Sequence, residues 1–263
     1  PNAATEKQSE AVDEKDVTFA DEMETLENVF QPTHEEVFRT DYKLKGKWGE
    51  QVFGNDHPIV LEVGCGKGEY SVGLGELYPE KNFIGLDIKG ARMWTGAKAA
   101  KEKGMKNVVF LRTHAEELES IFAPGEVSEI WITFPDPQMA KARKRLTGTR
   151  FLSLYRKFLK EDGLIHLKTD SPFLYQYTAE LVKVNHLPVN VNTDDLYGVG
   201  VDDKILGIKT FYERQWLSRG KTIKYIQFSL AGSSQLMEPE IDIEKDDYHS
   251  ETQFMTRQLK VEN

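Results

Sequence analysis

Short apolar runs, several of them β-branched, alternate with helix-length segments along most of this 263-residue chain, and few folds accommodate that alternation. Pro58–Val63 (PIVLEV) ends at glycines and reads as a buried strand; Gly68–Tyr78 has helical length and a proline stop at Pro79. Strands at Asn82–Asp87, Asn107–Leu111, Glu129–Phe134 and Gly163–Thr169 follow, separated by helices at Ala91–Gly104, Glu116–Phe122 and Arg150–Lys160. Pro172–Asn185 is a further helix, and Leu187–Asn192 and Thr222–Leu230 are two more strands. The segment 207–221 is too short and broken for a crossover helix, which predicts an antiparallel last strand. The expectation is an α/β fold: seven strands in one mostly parallel sheet, in one domain.

The net charge of -9 argues against a nucleic-acid partner until its distribution is followed. Residues 1–28 carry nine acids and two bases, and residues 236–263 carry eight acids and three bases. Residues 29–235 retain 29 bases against 26 acids. Between 137 and 160 stand eight Lys or Arg residues and no acid, densest at Lys141, Arg143, Lys144 and Arg145. We read a folded domain at 29–235 between two acidic extensions, mobile or loosely docked, at 1–28 and 236–263. No apolar stretch approaches the ~20 residues of a membrane span. The acidic first sixteen residues lack the basic start and apolar centre of a secretory signal, so a cytoplasmic protein is expected. A single cysteine excludes an internal disulfide, and six scattered histidines show no ligand spacing, so no metal is expected.

Glu62-Val63-Gly64-Cys65-Gly66-Lys67-Gly68 lies between the first strand and its helix. Glycines there let the backbone turn tightly and approach a ligand. The spacing GxGxG departs from the dinucleotide fingerprint GxGxxG, because position 69 is Glu. Asp87 ends the second strand about 20 residues on, where a carboxylate can hold both hydroxyls of a ribose. Glu62 adds a second acid, which would repel pyrophosphate and suits the amino group and sulfonium of S-adenosylmethionine. Cys65 reads as a small packing residue, and Trp131 and Phe134 as sheet core.

The fourth of these strands ends Phe134-Pro135-Asp136-Pro137. Each proline fixes its own φ, and Pro137 pushes Asp136 toward an extended conformation. The result is a stiff arm holding one carboxylate at the strand ends, where open α/β sheets bind ligands. The basic stretch begins five residues later. An acidic pocket beside a cationic surface suits a polyanion.

VLEVGCGKGEY, the FPDP turn followed by KARKRLT, HLKTD ending at Asp170, and TFYE at 210–213 together resemble the tRNA (guanine-N7)-methyltransferase family. The likeness runs from about residue 35 to residue 230, in the family's motif order. It implies a Rossmann-like class I methyltransferase fold, S-adenosylmethionine as cofactor and tRNA as partner, with the variable-loop guanine at position 46 as target. By resemblance, Glu62, Gly64, Gly66, Gly68 and Asp87 hold the cofactor, and Asp136 stands between cofactor and guanine as the catalytic carboxylate. His114 occupies the adenine position, serving through its ring or its backbone. Asp170, Thr210 and Glu213 match guanine-binding positions, and the substrate lysine falls on Lys141 with a one-residue shift. Gln138 stands where the family usually has an aromatic residue. Arg143, Lys144 and Arg145 are expected to meet RNA phosphates, in a monomer or homodimer. Two other readings stay open: a class I methyltransferase for a small molecule or protein, and a non-catalytic RNA-binding module. An NAD oxidoreductase is disfavoured by the loop spacing.

Overall fold

Four strands, β1 (Val29–Phe30), β2 (Ile59–Val63), β3 (Asn82–Asp87) and β4 (Val108–Arg112), lie in the order β1-β4-β3-β2, every observed pairing parallel. They belong to the first of two compact units, Pro1–Val127 and Ser128–Asn263. The structure is a computed structural model, and it describes residues 22, 24–198 and 211–247. β2 is buried at every residue and β3 at all but its last, as the continuous apolar runs of a two-sided parallel sheet require. Helices α1 (Glu69–Leu77) and α2 (Gly90–Glu102) pack against these strands. They reach the sheet closely because glycines line the contact. A Cβ on Gly68 would lie 2.6 Å from the Phe110 ring, and one on Gly96 would lie 2.6 Å from the Lys67 carbonyl oxygen. Trp48, fully buried in a π-helical turn at Trp48–Phe53, donates its indole N–H to the Ile121 carbonyl at 3.0 Å.

In the second unit, β5 (Val127–Thr133), β6 (Leu159–Thr169), β7 (Val189–Thr193) and β8 (Lys224–Ser229) take the order β5-β6-β8-β7. β8 runs antiparallel to both of its neighbours, as the missing crossover predicts. Helices α3 (Thr149–Tyr155), α4 (Pro172–Val184) and α5 (Phe211–Ser218) complete it. Trp131 is core, stacked on the buried His166 ring with centroids 3.9 Å apart. His166 Nδ1 shares a 2.6 Å hydrogen bond with the Tyr225 hydroxyl, and its Nε2 faces Glu129. Ser171 caps α4 by accepting from the Leu174 N–H at 3.0 Å, with Pro172 at the first helical position.

Two expectations change. Eight strands are described where seven were expected, because β1 is two residues long and leaves no alternation to read. The helix expected at Arg150–Lys160 stops at Tyr155, and β6 already begins at Leu159, so Asp162-Gly163 lies inside a strand. Phe158 is fully buried while Lys160, Glu161 and Asp162 are exposed, which suits a strand end and not another helical turn. Leu236 is buried, and the described chain continues to Asp247. Among the described residues no helix is long and apolar enough to cross a membrane.

Gly96→Ala brings a methyl group against backbone, which cannot move aside cheaply. Its expected outcome is a loss of about 1–3 kcal/mol in urea unfolding, whereas Gly104→Ala, a left-handed position with open space beside it, should lose about 1 kcal/mol through backbone strain alone.

Candidate functional site

The glycine loop leaves β2 with Gly64, Gly66 and Gly68 all at positive φ, at 76°, 54° and 74°. The N–H groups of Gly64 and Cys65 both donate to the Leu86 carbonyl at 2.8 Å, pinning the loop to the end of β3. Asp87, the next residue, accepts from the Gly66 N–H at 2.8 Å and from the Lys89 N–H at 2.9 Å. Each carboxylate oxygen keeps a second lone pair, and the side chain is half-exposed. Glu62 is buried at the end of β2 and accepts from the Ser71 hydroxyl at 2.9 Å. Nothing lies within 4 Å of a Cβ built on Gly66, so the loop borders open space. Two carboxylates and a bare backbone beside open space suit a ligand with a ribose and a cationic end. Thr113 N–H donates to the Asp87 carbonyl at 3.2 Å, so exposed His114 follows at the same rim, starting a single 3-10 turn. Burial, with Glu62 and Asp87 nearby, pushes the Cys65 thiol well up, which keeps it an uncharged packing residue.

In the second unit, the Phe134 N–H donates to the Lys168 carbonyl at 2.8 Å, joining the ends of β5 and β6. Asp136 and Asp170 each stand two residues beyond that bond. Asp136 is exposed, and its Oδ1 accepts the Gln138 N–H at 2.9 Å. Phe134 and Gln138 on either side of it hold φ of 49° and 47°. Left-handed backbone in non-glycine residues costs roughly 1–2 kcal/mol each and persists only where neighbours hold it. Asp170 is 3% exposed, and its Oδ1 has no hydrogen-bond partner among the described residues.

Lys141, Arg143 and Lys144 are exposed on a 3-10 turn, as a phosphate-facing surface requires. Arg145 is a correction. Only 8% exposed, it donates to the Gln138 carbonyl at 3.1 Å and the Met139 carbonyl at 2.9 Å, and lies over the rings of Phe173 and Tyr177. Its guanidinium is engaged with the loop carbonyls and the two rings. Glu213 is also fully buried, paired with equally buried Lys168 at 2.7 Å and accepting from the Tyr197 hydroxyl. Lys168 in turn donates to that hydroxyl at 3.0 Å, closing a triad that sequence reasoning did not foresee. Thr210 lies outside the described residues. Among them, no group of three or more His, Cys, Asp or Glu side chains is arranged to hold a metal ion.

Residues 56–226 match a family model described as a putative methyltransferase. Among solved structures, the 16S rRNA methyltransferase KamB is similar in fold alone, with a TM-score of 0.53 at 16% identity over 70% of this chain and 92% of that one. Fold and rim define a class I methyltransferase. A tRNA (guanine-N(7)-)-methyltransferase of Porphyromonas gingivalis is 61% identical over 87% of this chain and 95% of its own length. Another from Bacteroides thetaiotaomicron is 57% identical over 88% of this chain and 92% of its own. The chain belongs to the tRNA (guanine-N7)-methyltransferase family.

Burial raises the Asp170 carboxyl from 3.8 to about 6, with Asp246 adding to it and Lys221 and Lys224 opposing. The folded chain therefore holds this proton more tightly than the unfolded one. Its stabilising effect is complete below pH 3.8, declines as pH rises, and is gone above about 6. Asp170→Asn should accordingly melt several degrees higher than the parent at pH 8, a relief of at most about 3 kcal/mol, and show no gain near pH 4. Thermal melts across that range check it; a gain independent of pH would reject the buried ionisation.

Proposed function

We propose that this chain transfers the methyl group of S-adenosylmethionine to N7 of a guanine in tRNA, the variable-loop guanine at position 46. Family membership supports the reaction, and one observation carries the chemistry: the exposed Asp136 carboxylate held on a strained, proline-flanked arm that, like Asp170, leaves its strand two residues beyond the Phe134–Lys168 bond. Asp87 holds the ribose of the cofactor, Glu62 faces its cationic end, and Gly64, Gly66 and Gly68 admit it to the backbone. His114 borders the adenine. When bound, the cofactor supplies an electrophilic methyl on sulfur.

Guanine N7 presents its lone pair in the major groove and needs no general base. What remains for the protein is alignment and charge. The ring gains positive charge as the methyl arrives, and Asp136 is the right sign of neighbour for it. Asp170 accepts from the guanine N1–H and N2–H groups. Glu213 meets the base only by exchanging Lys168 for those donors, and Thr210 is a further guanine-binding residue by resemblance. Lys141 serves the substrate directly, Arg143 and Lys144 hold phosphates, and the base leaves its stack to enter. The setting is the cytoplasm, and the chain acts as a monomer or homodimer.

Purified protein, bulk tRNA and the cofactor should give a tRNA that borohydride reduction followed by aniline cleaves at N7-methylguanine, at one position. Asp136→Asn should keep the fold and the cofactor affinity yet lower kcat by about 10²–10³. An unchanged rate removes Asp136 from the mechanism; methyl transfer only to a protein or small molecule would replace the substrate. Replacing Lys141, Arg143 and Lys144 with alanine should make the plot of log affinity for tRNA against log salt shallower by about two to three units. A parallel line would take the exposed cations out of RNA binding.

A further inference from the structure

The acidic segment after residue 235 lies outside the region matched by the family model, yet it is bonded into the second unit at several points. The Asn185 side chain pairs with Met237, accepting from its N–H and donating to its carbonyl, both at 2.7 Å. Glu238 accepts from the Thr149 hydroxyl at 2.8 Å and from the Tyr177 hydroxyl at 2.5 Å. Asp246 accepts from the Ser171 hydroxyl at 2.7 Å and the Phe173 N–H at 3.1 Å, at the first turn of α4. These acids act as internal acceptors.

One of these contacts leads to the catalytic arm. Tyr177 carries the Arg145 guanidinium over its ring, 4.4 Å from the centroid, with Phe173 on the same guanidinium at 4.8 Å. Arg145 holds the carbonyls of Gln138 and Met139, and the Gln138 N–H holds the Asp136 carboxylate. Gln138 is one of the two left-handed residues flanking Asp136, so this is where strain needs support. A guanidinium fork reaches two carbonyls in fixed geometry, which a lysine ammonium does not.

We propose that Glu238 and Arg145 are positioning residues for Asp136, linked through Tyr177, so that the C-terminal acidic segment forms part of the active site's support. The inference rests on the function proposed above. Glu238 fixes the Tyr177 ring, the ring fixes the guanidinium, and the guanidinium fixes the backbone that aims the carboxylate.

The test compares Arg145→Lys, Glu238→Ala and Glu238→Gln in the full chain, each checked by its circular dichroism spectrum. The support predicts that Arg145→Lys lowers kcat by about tenfold or more, while KM for tRNA and the cofactor Kd stay within about twofold. Glu238→Ala should lower kcat about three- to tenfold, and Glu238→Gln, whose one carbonyl oxygen can still accept from the Tyr177 hydroxyl while its amide N–H turns to the Thr149 hydroxyl oxygen, should restore most of it. Hydrogen exchange at the amides of Asp136 and of residues 138–141 should quicken in Glu238→Ala and not in Glu238→Gln. A raised KM for tRNA with unchanged kcat in Arg145→Lys would make Arg145 a phosphate contact and overturn the proposal, as would unaltered kcat and exchange in Glu238→Ala. If Arg145→Lys does not fold, the Glu238 pair decides alone. Should the parent protein methylate no tRNA, the functional reading fails, and the exchange data still decide whether the segment holds the arm.

Discussion

A carboxylate at the end of a strand is useful to a ligand only if something other than the ligand holds it, and here that partner is the backbone N–H. Asp87 takes two such donors, one from its own turn and one from the glycine loop of the neighbouring strand. Asp136 takes one from two residues ahead. Asp246 takes one from the free first turn of a helix. These bonds leave lone pairs over, so each group is fixed in place and still able to accept. In Asp87 the bond does more. It ties the loop after β2 to the end of β3, and the same loop is held again through the Leu86 carbonyl. Without that closure the glycines would be free to wander, since their positive φ costs them nothing.

Burial decides what each cation can do. Lys141, Arg143, Arg145 and Lys144 are close neighbours in sequence, yet only Arg145 turns inward, where two carbonyls and two aromatic faces replace its water. A guanidinium suits that environment because it is weakly hydrated and planar. Lys168 takes the other route to burial, paired directly with Glu213 and bridged by Tyr197. An ammonium so enclosed needs its counter-charge; removing either partner would strand the other.

The strands and the glycine loop were legible because their chemistry is local. PIVLEV and NFIGLD are two-sided buried runs, and their ends at Gly64 and Asp87 locate the rim directly. The FPDP turn was equally plain, since two prolines restrict what surrounds Asp136. What escaped was non-local. No periodicity separates Arg145 from Arg143 or Lys144; the distinction arises only when Phe173 and Tyr177, about 30 residues later, supply a platform. The burial of Glu213 needed Lys168, 45 residues earlier, in a strand whose hydrophobic run gave no reason to carry a paired charge. The end of α3 at Tyr155 was misread because Phe158 and Leu159 continue the apolar count, although tertiary packing takes them into β6.

Acidic flanks on a protein that handles RNA look contradictory if charge is treated as a single number. For two acids of the C-terminal segment the donors are at hand. Glu238 meets two hydroxyls and Asp246 meets a hydroxyl and a helix N–H, so their negative charge is partly neutralised where it sits and is directed into the protein. The cations that remain exposed at Lys141, Arg143 and Lys144 have no acid within their own stretch of chain, and over a Debye length of about 8 Å a local field of this kind outweighs distant charge. The same reasoning applies to the reaction. Methylating N7 creates a cation from a neutral ring, and a protein gains most by placing fixed negative charge there before the event, with a rigid arm so that no reorganisation is needed when the charge appears.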